Sequence, residues 1–457
     1  MGNGAVPEVE ISRLAYSSQS VTPGTLFFCV PGFRSDGHDF APDAVARGAV
    51  ALVCQRPLGL GVPEVLVDDV RAAMGPAAAR FHGDPTAELD VVGVTGTNGK
   101  TTTAFLLRHL LEAGGRQTGL LGTVKRVVGG AEEEVVRTTP EAIDLQATFR
   151  AMLDGGDRAC AMEVSSHALE LGRVAGIHFA CRVFTNLTQD HLDFHGSMDR
   201  YYEAKRRLFV EHEPAPAAAV NVGDEWGRRL ADELRRLDRA PLVTYGLVED
   251  ADLRWEDVNI ETGLRGRFNR ENILAAVAVS GLLGVPQDAV SEGLARVSGV
   301  AGRFEAVDEG QPFTVLVDYA HTPDSLANVL RTARELTTGQ LVCVFGCGGD
   351  RDRGKRPEMG RIAGELADVA IVTSDNPRSE DPLAIIDEIL AGMDARPVVE
   401  ADRRTAIAKA IEQAGPGDVV VIAGKGHEQG QELADRKVPF DDREVAREAL
   451  RRLRAPA

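Results

Sequence analysis

The stretch GVTGTNGKTTT, residues 93–103, decides the fold of the central part of this chain. The apolar residues before it predict a buried strand, and the following TTTAFLLRHLLEAGG has the apolar spacing of a helix that ends at Gly114 and Gly115. A strand, a glycine loop and a helix in this order open an α/β domain and present backbone N–H groups that suit phosphates. A strict phosphate-binding loop has glycine where Val94 stands, so a purely structural glycine turn is the alternative.

Length, composition and charge limit the classes of protein to which this chain can belong. Its 457 residues predict roughly two to four domains, and 44% hydrophobic with 26% charged residues is ordinary for a water-soluble protein. No apolar run reaches the roughly 18 residues of a membrane span, and the start lacks a secretory signal, so we expect a cytoplasmic protein without membrane insertion. The net charge of -18 argues against nucleic-acid binding. The six cysteines lie mostly in apolar runs, which predicts reduced, buried thiols.

The alternation of strands and helices begins three times along the chain. The sequence therefore predicts an α/β fold with a small domain over residues 1–87, a central domain with a parallel sheet over residues 88–303, and a Rossmann-like domain over residues 304–457. In the last domain, apolar runs such as FTVLVDYA, QLVCVFG and DVVVIAG alternate with amphipathic segments, as expected of parallel strands joined by helices.

Polar loops follow several of the predicted strands. MEVSSH carries Glu163, NLTQDHLDFHG carries His191, and VDYAHTPDSL carries Asp318. The loops GCGGDRDRGKRP and GKGHE combine glycines with cations, which favours an anionic partner. Each also has a structural interpretation, namely a salt bridge, a mobile loop or, for Asp324, a helix cap. Together with the glycine loop they indicate a protein that uses a nucleotide to activate a substrate.

The order of the motifs GTNGKTTT, TTPE, MEVSSHAL, TNLTQDHLDFH, YYEAKRRLF, FNRENILAA, DYAHTPDSL, FGCGGDRDRGKRP, DNPR and GKGHE resembles the Mur ligases over nearly the whole chain. The resemblance implies a UDP-binding domain, a central ATPase domain and a Rossmann-like carboxy-terminal domain. It also implies an enzyme of peptidoglycan synthesis that uses ATP to phosphorylate a carboxylate and an amine to displace the phosphate, so that an amide forms. We expect a monomer.

The resemblance implies the following roles for residues of the central domain. The ATP-binding residues are Gly96, Thr97, Asn98, Gly99, Lys100, Thr101, Thr102, Asn269, Asn272 and Asp318. Thr101, Glu163 and His191 are the expected Mg²⁺ ligands, and Lys100, Glu163, His191 and Lys205 the expected catalytic residues. Lys205 matches the lysine that the family carbamylates with CO₂, although by composition alone it is a lysine beside two arginines on a helix.

The implied substrates are UDP-N-acetylmuramoyl-L-alanyl-D-glutamate and meso-diaminopimelate. For the sugar nucleotide the matching residues are Ser18, Thr138, Thr139, Ser165 and Arg173; for the amino acid they are Arg351, Asp375, Asn376, Pro377, Arg378, Gly424 and Glu428. The chain departs from many relatives at Gln19 and Leu171, and it has a short amino terminus and only a short segment at residues 257–266.

Arg378 in DNPR has two interpretations. Its neighbours Glu380 and Asp381 predict a local salt bridge. By resemblance, DNPR matches the motif that selects meso-diaminopimelate over L-lysine, because a guanidinium can pair with the extra carboxylate. Alternatives for the whole chain are a lysine-adding or folylpolyglutamate-type ligase, or a nucleotide-binding regulator that does not ligate.

Overall fold

The computed structural model of the chain describes residues 8–32, 35–133, 135, 137–211, 214–297, 299–394 and 397–454. The chain divides into two compact units. The first comprises Met1–Gly93 and Arg116–Ala180, and the second comprises Val94–Gly115 and Cys181–Ala457. The domain boundaries predicted near residues 87 and 303 stay predictions.

The strands are β1 Arg13–Ala15, β2 Thr25–Phe28, β3 Ala49–Cys54, β4 Glu64–Leu66, β5 Asp90–Thr95, β6 Thr118–Leu121, β7 Arg126–Val128, β8 Ala131–Glu133, β9 Ala159–Glu163, β10 Phe179–Phe184, β11 Ala217–Asn221, β12 Leu242–Gly246, β13 Leu253–Arg254, β14 Glu305–Ala306, β15 Thr314–Asp318, β16 Leu341–Phe345, β17 Val369–Val372, β18 Val398–Val399, β19 Val419–Ala423, β20 Gly430–Glu432 and β21 Lys437–Pro439.

The α-helices are α1 Ala41–Ala46, α2 Val70–Phe81, α3 Lys100–Ala113, α4 Ala142–Asp154, α5 Ser166–Glu170, α6 Leu192–His195, α7 Met198–Val210, α8 Glu225–Leu237, α9 Arg267–Leu282, α10 Gln287–Ala295, α11 Pro323–Leu336, α12 Lys355–Leu366, α13 Pro382–Leu390, α14 Arg403–Gln413 and α15 Asp442–Arg454.

The first unit begins with four parallel strands in the order β1-β2-β3-β4. Successive residues of these strands face opposite sides: Phe27 and Leu52 are buried in one apolar cluster, and Phe28 and Val53 in another. Because both faces are buried, β2 and β3 read as nearly continuous apolar runs in the sequence.

The rest of the first unit contains a second group of strands and the helix α4. Strands β6 and β9 pair in parallel, and β7 and β8 continue from β6 as antiparallel neighbours. Helix α2 packs against α4. A Cβ atom on Gly75 of α2 would lie 2.2 Å from the carbonyl oxygen of Ala175, so glycine is required where α2 passes the loop after α5.

The second unit contains two groups of parallel strands. In the first group β10, β11, β12 and β13 are neighbours, and α3 packs against α9 and α10. In the second group the order is β14-β15-β19-β16-β17-β18. Strands β15 to β19 of this sheet are parallel as predicted, whereas β14 is an antiparallel edge strand. Helices α11, α12 and α13 cover one face of the sheet, and α14 and α15 cover the other.

The structure corrects the capping interpretation of Asp324. The side chain of Thr322 caps α11 by accepting a hydrogen bond from the Ser325 amide. In return, the Ser325 hydroxyl oxygen accepts a hydrogen bond from the Thr322 amide. Asp324 lies in the first turn, where its Oδ2 accepts a hydrogen bond from Asn98 Nδ2 at 3.0 Å. Its carboxylate therefore connects α11 to the glycine loop.

All six cysteines are free and buried, which confirms the predicted thiols. In the parts of the chain that the structure describes, every helix is too short or too polar to cross a membrane.

Candidate functional site

The loop between β5 and α3 has the conformation that its glycines predict. Gly99 has φ +85°, and a Cβ atom there would lie 2.4 Å from Asn272 Oδ1; a Cβ atom on Gly96 would lie 1.9 Å from Thr185 Oγ1. Both positions therefore require glycine. Val94, the departure from the strict pattern, is fully buried within β5, which explains why an apolar residue stands there. The amide groups at the start of α3 follow directly, as an anion-binding loop requires.

Two lysines converge on one carbonyl group of this loop. Lys100 Nζ donates hydrogen bonds to the carbonyl oxygens of Gly96 at 3.0 Å and Thr97 at 2.8 Å, and Lys205 Nζ donates to the same Gly96 oxygen at 2.7 Å. Lys205 comes from α7, is 1% exposed and lies over the Tyr201 ring at 4.6 Å. Burial and then the charge of Lys100 lower the pKa of Lys205 well below its ordinary value. A lysine in this environment is poised to be a neutral amine.

Thr101 has a partner that the sequence analysis did not predict. Its Oγ1 accepts a hydrogen bond from Arg303 Nη2 at 2.9 Å, and the guanidinium of Arg303 lies 4.4 Å from the centre of the Tyr319 ring. Arg303 stands in GRFE, just before β14. The only feature of the sequence that could have indicated its role is the position of an arginine between a glycine and an aromatic residue.

A second cluster of charged residues consists of Asp190 and the three basic side chains around it. His191 Nε2 lies 3.4 Å from Asp190 Oδ2, His321 Nε2 lies 3.8 Å from the same oxygen, and Lys355 Nζ lies 3.8 Å from Oδ1. Burial opposes ionisation of Asp190, but His191, Lys355 and His321 outweigh it and lower its pKa to about 2. Burial and then Lys355 lower the pKa of His321 to about 4. His191 itself has φ +53°, a left-handed conformation that is uncommon outside glycine and often marks functional loops.

The other residues predicted to bind nucleotide lie in or close to the same loop, and Asn98 is half-buried there. Asn98 donates its backbone N–H to Asn186 Oδ1 at 2.9 Å. Asn272 accepts a hydrogen bond from Thr103 at 3.3 Å, and Asn269 is also buried on α9. Thr97 and Thr102 are buried as well.

Asp318 ends β15, and both of its carboxylate oxygens accept backbone hydrogen bonds. Oδ2 accepts from Phe304 at 2.6 Å and Oδ1 from Ala320 at 2.7 Å. Burial raises the pKa of Asp318 to about 6, although Arg303 opposes the rise. In the structure Asp318 therefore organises the loop after β15.

The ends of β17 and β19 form a polar cluster. Lys425 Nζ is fully buried and donates to Asn376 Oδ1 at 2.8 Å and Glu428 Oε2 at 3.0 Å, while Asn376 Nδ2 donates to the same Glu428 oxygen at 2.8 Å. Asp375 Oδ1 lies 3.6 Å from Lys425 Nζ. Gly424 has φ +121°, and a Cβ atom there would lie 2.6 Å from Asp375 Oδ2. The structure thus joins DNPR and GKGHE, and Lys425, the cation of GKGHE, is buried among acceptors from both motifs.

Arg378 does not pair with its sequence neighbours, so the local salt-bridge interpretation is wrong. Its Nε donates to Glu432 Oε2 at 2.7 Å, and its Nη1 donates to the carbonyl oxygen of Gly349 at 2.8 Å. Glu380 instead binds Arg356 at 2.8 Å, and Asp381 caps α13. Arg378 has φ +51°, and its amide donates to the Glu432 carbonyl oxygen at 3.1 Å.

Two other residues of the predicted amino-acid site lie around Arg378. Pro377 closely contacts Gly349, where a Cβ atom would lie 1.9 Å from the proline carbonyl oxygen. Arg351 is exposed, and its Nη1 donates to the carbonyl oxygen of Asp350 at 2.8 Å.

The first unit holds the remaining predicted residues. Glu163 is 1% exposed at the end of β9, and its carboxylate accepts hydrogen bonds from the Thr123 amide at 2.7 Å and hydroxyl at 3.0 Å. The Thr138 hydroxyl lies 3.0 Å from that of Thr123. Thr139 donates to the Glu163 carbonyl oxygen at 2.9 Å and lies 3.5 Å from Ser165 Oγ, and Ser165 caps α5.

Arg173 and Ser18 complete the predicted residues of this unit. Arg173 Nη1 donates to the Thr139 carbonyl oxygen at 3.2 Å, so Thr138, Thr139, Glu163, Ser165 and Arg173 form one connected group. Ser18 lies in a short 3-10 helix, Ser18–Ser20, and is buried.

Three family models match this chain. The description "Mur ligase family, catalytic domain" matches residues 10–82, "Mur ligase middle domain" matches 94–280, and "Mur ligase, glutamate ligase domain" matches 302–426. Together they cover most of the chain, and they confirm the predicted α/β fold with three Mur ligase domains.

Similar proteins are found over nearly the full length. Proteins named UDP-N-acetylmuramoyl-L-alanyl-D-glutamate--2,6-diaminopimelate ligase from Solibacter usitatus and Geobacillus thermodenitrificans are 47% and 48% identical. Each alignment covers 97% of this chain, with 94% of the first relative and 96% of the second. A solved structure described by the same name is 33% identical, with a TM-score of 0.68 over 98% of this chain and 96% of its own. These likenesses confirm the predicted ligase class, and the chain belongs to the Mur ligase family.

Proposed function

We propose that this protein joins meso-diaminopimelate to UDP-N-acetylmuramoyl-L-alanyl-D-glutamate in an ATP-dependent reaction of peptidoglycan synthesis in the cytoplasm. The observation that carries the proposal is the 47–48% identity, over 97% of the chain, with relatives named for that reaction. The reaction converts the free glutamyl carboxylate into an acyl phosphate, and the amine then attacks the acyl carbon and expels phosphate. The products are the amide, ADP and phosphate.

The glycine loop supports the phosphoryl-transfer half of this proposal. The loop amides and Lys100 suit the phosphates of ATP, and the Thr101 hydroxyl at the start of α3 suits Mg²⁺, which usually takes few protein ligands beside phosphate oxygens. Bound Mg²⁺ would neutralise phosphate charge. Glu163 and His191 are its other proposed ligands. Lys205 is proposed to be carbamylated, because a neutral, buried amine is the form that reacts with CO₂.

The polar cluster after β17 and β19 supports the proposed choice of amino acid. Asp375, Asn376 and Glu428 offer acceptors to ammonium groups, and Arg378 offers a guanidinium to a carboxylate. Meso-diaminopimelate has a carboxylate that L-lysine lacks. A fixed arginine therefore favours diaminopimelate, while lysine offers no carboxylate to the Nη2 group that Glu432 and Gly349 leave unbound.

Phosphate release tests the proposal directly. The protein is incubated with ATP, Mg²⁺, UDP-N-acetylmuramoyl-L-alanyl-D-glutamate and either meso-diaminopimelate or L-lysine. We expect release that requires both organic substrates and is at least roughly ten-fold faster at low concentrations of diaminopimelate than of lysine. Equal use of lysine would reject the proposed specificity. Hydrolysis without the substrates, or none with them, would favour a regulator that does not ligate.

A further inference from the structure

A cluster of three arginines surrounds one buried carboxylate in the first unit. Arg173 Nη2 lies 2.9 Å and Arg137 Nη1 3.1 Å from Glu141 Oε1, and Arg71 Nη1 lies 3.5 Å from Oε2. The side chain of Glu141 is only 8% exposed. The next carboxylate, Asp144, is hydrogen-bonded to the Tyr16 hydroxyl at 2.7 Å.

The positive charge of this cluster exceeds what its carboxylate balances. Glu141 can neutralise one of the three guanidinium groups. Burial lowers the pKa of Arg173, and Arg137 and Arg71 lower it further while Glu141 opposes them, as expected where cations are packed together. Solvent screens the half-exposed Arg137, but the largely buried Arg71 and Arg173 share one carboxylate, which leaves positive charge that a further anion would balance.

The hydrogen-bonding groups of this arginine cluster are also not all satisfied. Among the described residues, the buried Arg173 Nε makes no hydrogen bond, and Arg71 Nη1 and Glu141 Oε2 meet only as a 3.5 Å ion pair. Arg71 reaches the cluster because α2 packs on α4 and passes close to the loop after α5, as Gly75 permits. Buried donors without partners are uncommon and call for an explanation such as a missing ligand.

The surroundings of the cluster indicate where such a ligand would lie. Arg173 donates to the Thr139 carbonyl oxygen, and the Thr139 hydroxyl is 3.5 Å from Ser165 Oγ. These are residues of the proposed sugar-nucleotide site. Arg71 and Arg137 add two guanidinium groups to that site, and guanidinium forks suit the paired oxygens of phosphates and carboxylates.

We propose that Arg71, Arg137 and Arg173 together form an anion-binding site, the anion cradle, in which Glu141 lies between the three guanidinium groups. The cradle binds an oxyanion group of the nucleotide-linked substrate. The proposal rests on the proposed function for the identity of that substrate. Its diphosphate and its glutamyl carboxylates share the chemistry that the cradle recognises, and separate inhibitors distinguish them.

Steady-state kinetics of Arg71→Gln and Arg137→Gln test the cradle. We expect the KM for UDP-N-acetylmuramoyl-L-alanyl-D-glutamate to rise about ten-fold or more, with kcat within about two-fold and the KM for ATP unchanged. Arg71→Lys keeps the charge but loses the fork, so we expect a smaller rise. Arg80→Gln, an exposed position in the last turn of the same helix, is the matched control and should behave as the parent.

Competitive inhibitors locate the bound group. UDP carries the diphosphate without the peptide, and the N-acetylmuramoyl dipeptide carries the carboxylates without the nucleotide. If the cradle binds the diphosphate, Arg71→Gln weakens inhibition by UDP as much as it raises the substrate KM. If it binds a carboxylate, only inhibition by the sugar dipeptide weakens. Unchanged KM and inhibition in both glutamine variants would overturn the proposal.

A purely structural role gives a different pattern. In that case kcat and the KM values of all substrates would change together with the melting temperature, and this would also overturn the proposal. If Arg71→Gln does not fold, Arg137→Gln carries the test, since its side chain is 54% exposed. Calorimetric titration of UDP and the sugar dipeptide into the parent and variants needs no turnover. An inactive parent would count against the proposed function, while a loss of either ligand's affinity in the variants would still support the cradle.

Discussion

At the scale of single residues, Lys205 shows how burial changes what a side chain can do. The sequence presents it beside Arg206 and Arg207, as an ordinary basic residue on a helix. In the structure it is fully enclosed and shares the Gly96 carbonyl oxygen with Lys100. Burial and the charge of Lys100 disfavour an ammonium at Lys205, whereas an anionic carbamate at this position would attract Lys100.

We predict that Lys205→Ala lowers the rate of phosphate release by roughly a hundred-fold, the usual loss when a charge-stabilising group is removed from an active site. A small added carboxylate, such as formate, should restore part of the rate. Mass spectrometry of the parent should detect the mass of one CO₂ on the peptide that contains Lys205. Arg207→Ala on the same helix is the control. Full activity of Lys205→Ala without added carboxylate would contradict the carbamate.

Arg378 is the second residue whose structure changes its interpretation. Glu432 and the Gly349 carbonyl oxygen hold its Nε and Nη1, while Nη2 makes no hydrogen bond to the described residues. The guanidinium is thus fixed before any substrate arrives, and fixation lowers the entropy cost of binding a carboxylate.

We predict that Arg378→Ala raises the KM for meso-diaminopimelate at least roughly ten-fold, and that Arg378→Lys recovers little, because an ammonium lacks the planar fork. The KM for ATP should stay the same. Initial rates at varied diaminopimelate concentration measure the effect, with Arg361→Ala, an exposed arginine of α12, as the control. A parent and Arg378→Ala with the same KM would reject the role of this arginine.

Contacts between individual side chains could be predicted from the sequence only where the two partners are close together along the chain. The sequence correctly placed Lys100 and Thr101 at a glycine loop, since that geometry is local. It failed for Arg378, whose partner Glu432 stands 54 residues away. It also missed Arg303, because a single cation in a loop has the same composition whether it is exposed or buried.

At the scale of elements, the carboxyl ends of β17 and β19 depend on a buried ion pair. Arg403 at the start of α14 binds both carboxylate oxygens of Asp442 at the start of α15, at 2.8 and 2.7 Å, and both side chains are fully buried. Arg403 also donates to the carbonyl oxygens of Ala423 at 2.9 Å and Ser374 at 3.4 Å. The pair therefore holds the strand ends from which DNPR and GKGHE begin.

We predict that Arg403→Met lowers the free energy of unfolding by about 3–5 kcal/mol, because it leaves Asp442 as an unpaired buried carboxylate. The double variant Arg403→Met with Asp442→Leu should recover much of that loss. Denaturant unfolding measures both variants, with Arg404→Met, an exposed neighbour, as the control. A double variant no more stable than Arg403→Met would show that the unpaired carboxylate does not cause the loss.

Elements with long apolar runs could be predicted, and short exposed ones could not. The runs that predicted β15, β16, β17 and β19 are buried on both faces, so tertiary packing agrees with the local pattern. The edge strand β18 consists of two exposed valines, and the hairpin of β20 and β21 holds Glu432 without an apolar run. Strand β18 depends on pairing with β17, and the hairpin contacts Arg378 through Glu432; a local pattern contains neither contact.

At the scale of the whole molecule, stability depends on how charge is buried near the glycine loop. Besides Asp318, burial raises the pKa values of three carboxyl groups in the second unit: Asp224, Glu271 and Asp324. Asp324 binds Asn98 of the loop, and Asp224 accepts hydrogen bonds from the amides of Leu187 and Gly227. Ionisation of each group costs the folded state more than the unfolded state, so the folded protein should lose stability as the pH rises from the unfolded-state pKa to the raised folded-state pKa.

Glu271 gives the sharpest test of this cost. Burial raises its pKa from 4.5 to about 7, with Asp324 and Asp224 adding to the rise and Arg267 opposing it. Below pH 4.5 the group is protonated in the folded and unfolded states, and it contributes nothing. Between pH 4.5 and 7 the unfolded state releases the proton first, so stability falls, and above pH 7 the full cost is present.

We predict that Glu271→Gln is more stable than the parent at pH 8, by on the order of 2 kcal/mol after allowance for the 23% exposure of the side chain. Well below pH 4.5 the difference between variant and parent should become small, because Glu271 is then protonated in both the folded and the unfolded parent. Thermal unfolding of both proteins across this range measures the difference. Glu292→Gln, a 69% exposed position on α10, should show no such pH dependence. The carboxylate is not the source of the cost if Glu271→Gln is less stable than the parent at pH 8. The same conclusion follows if the stabilities of variant and parent differ by the same amount at every pH.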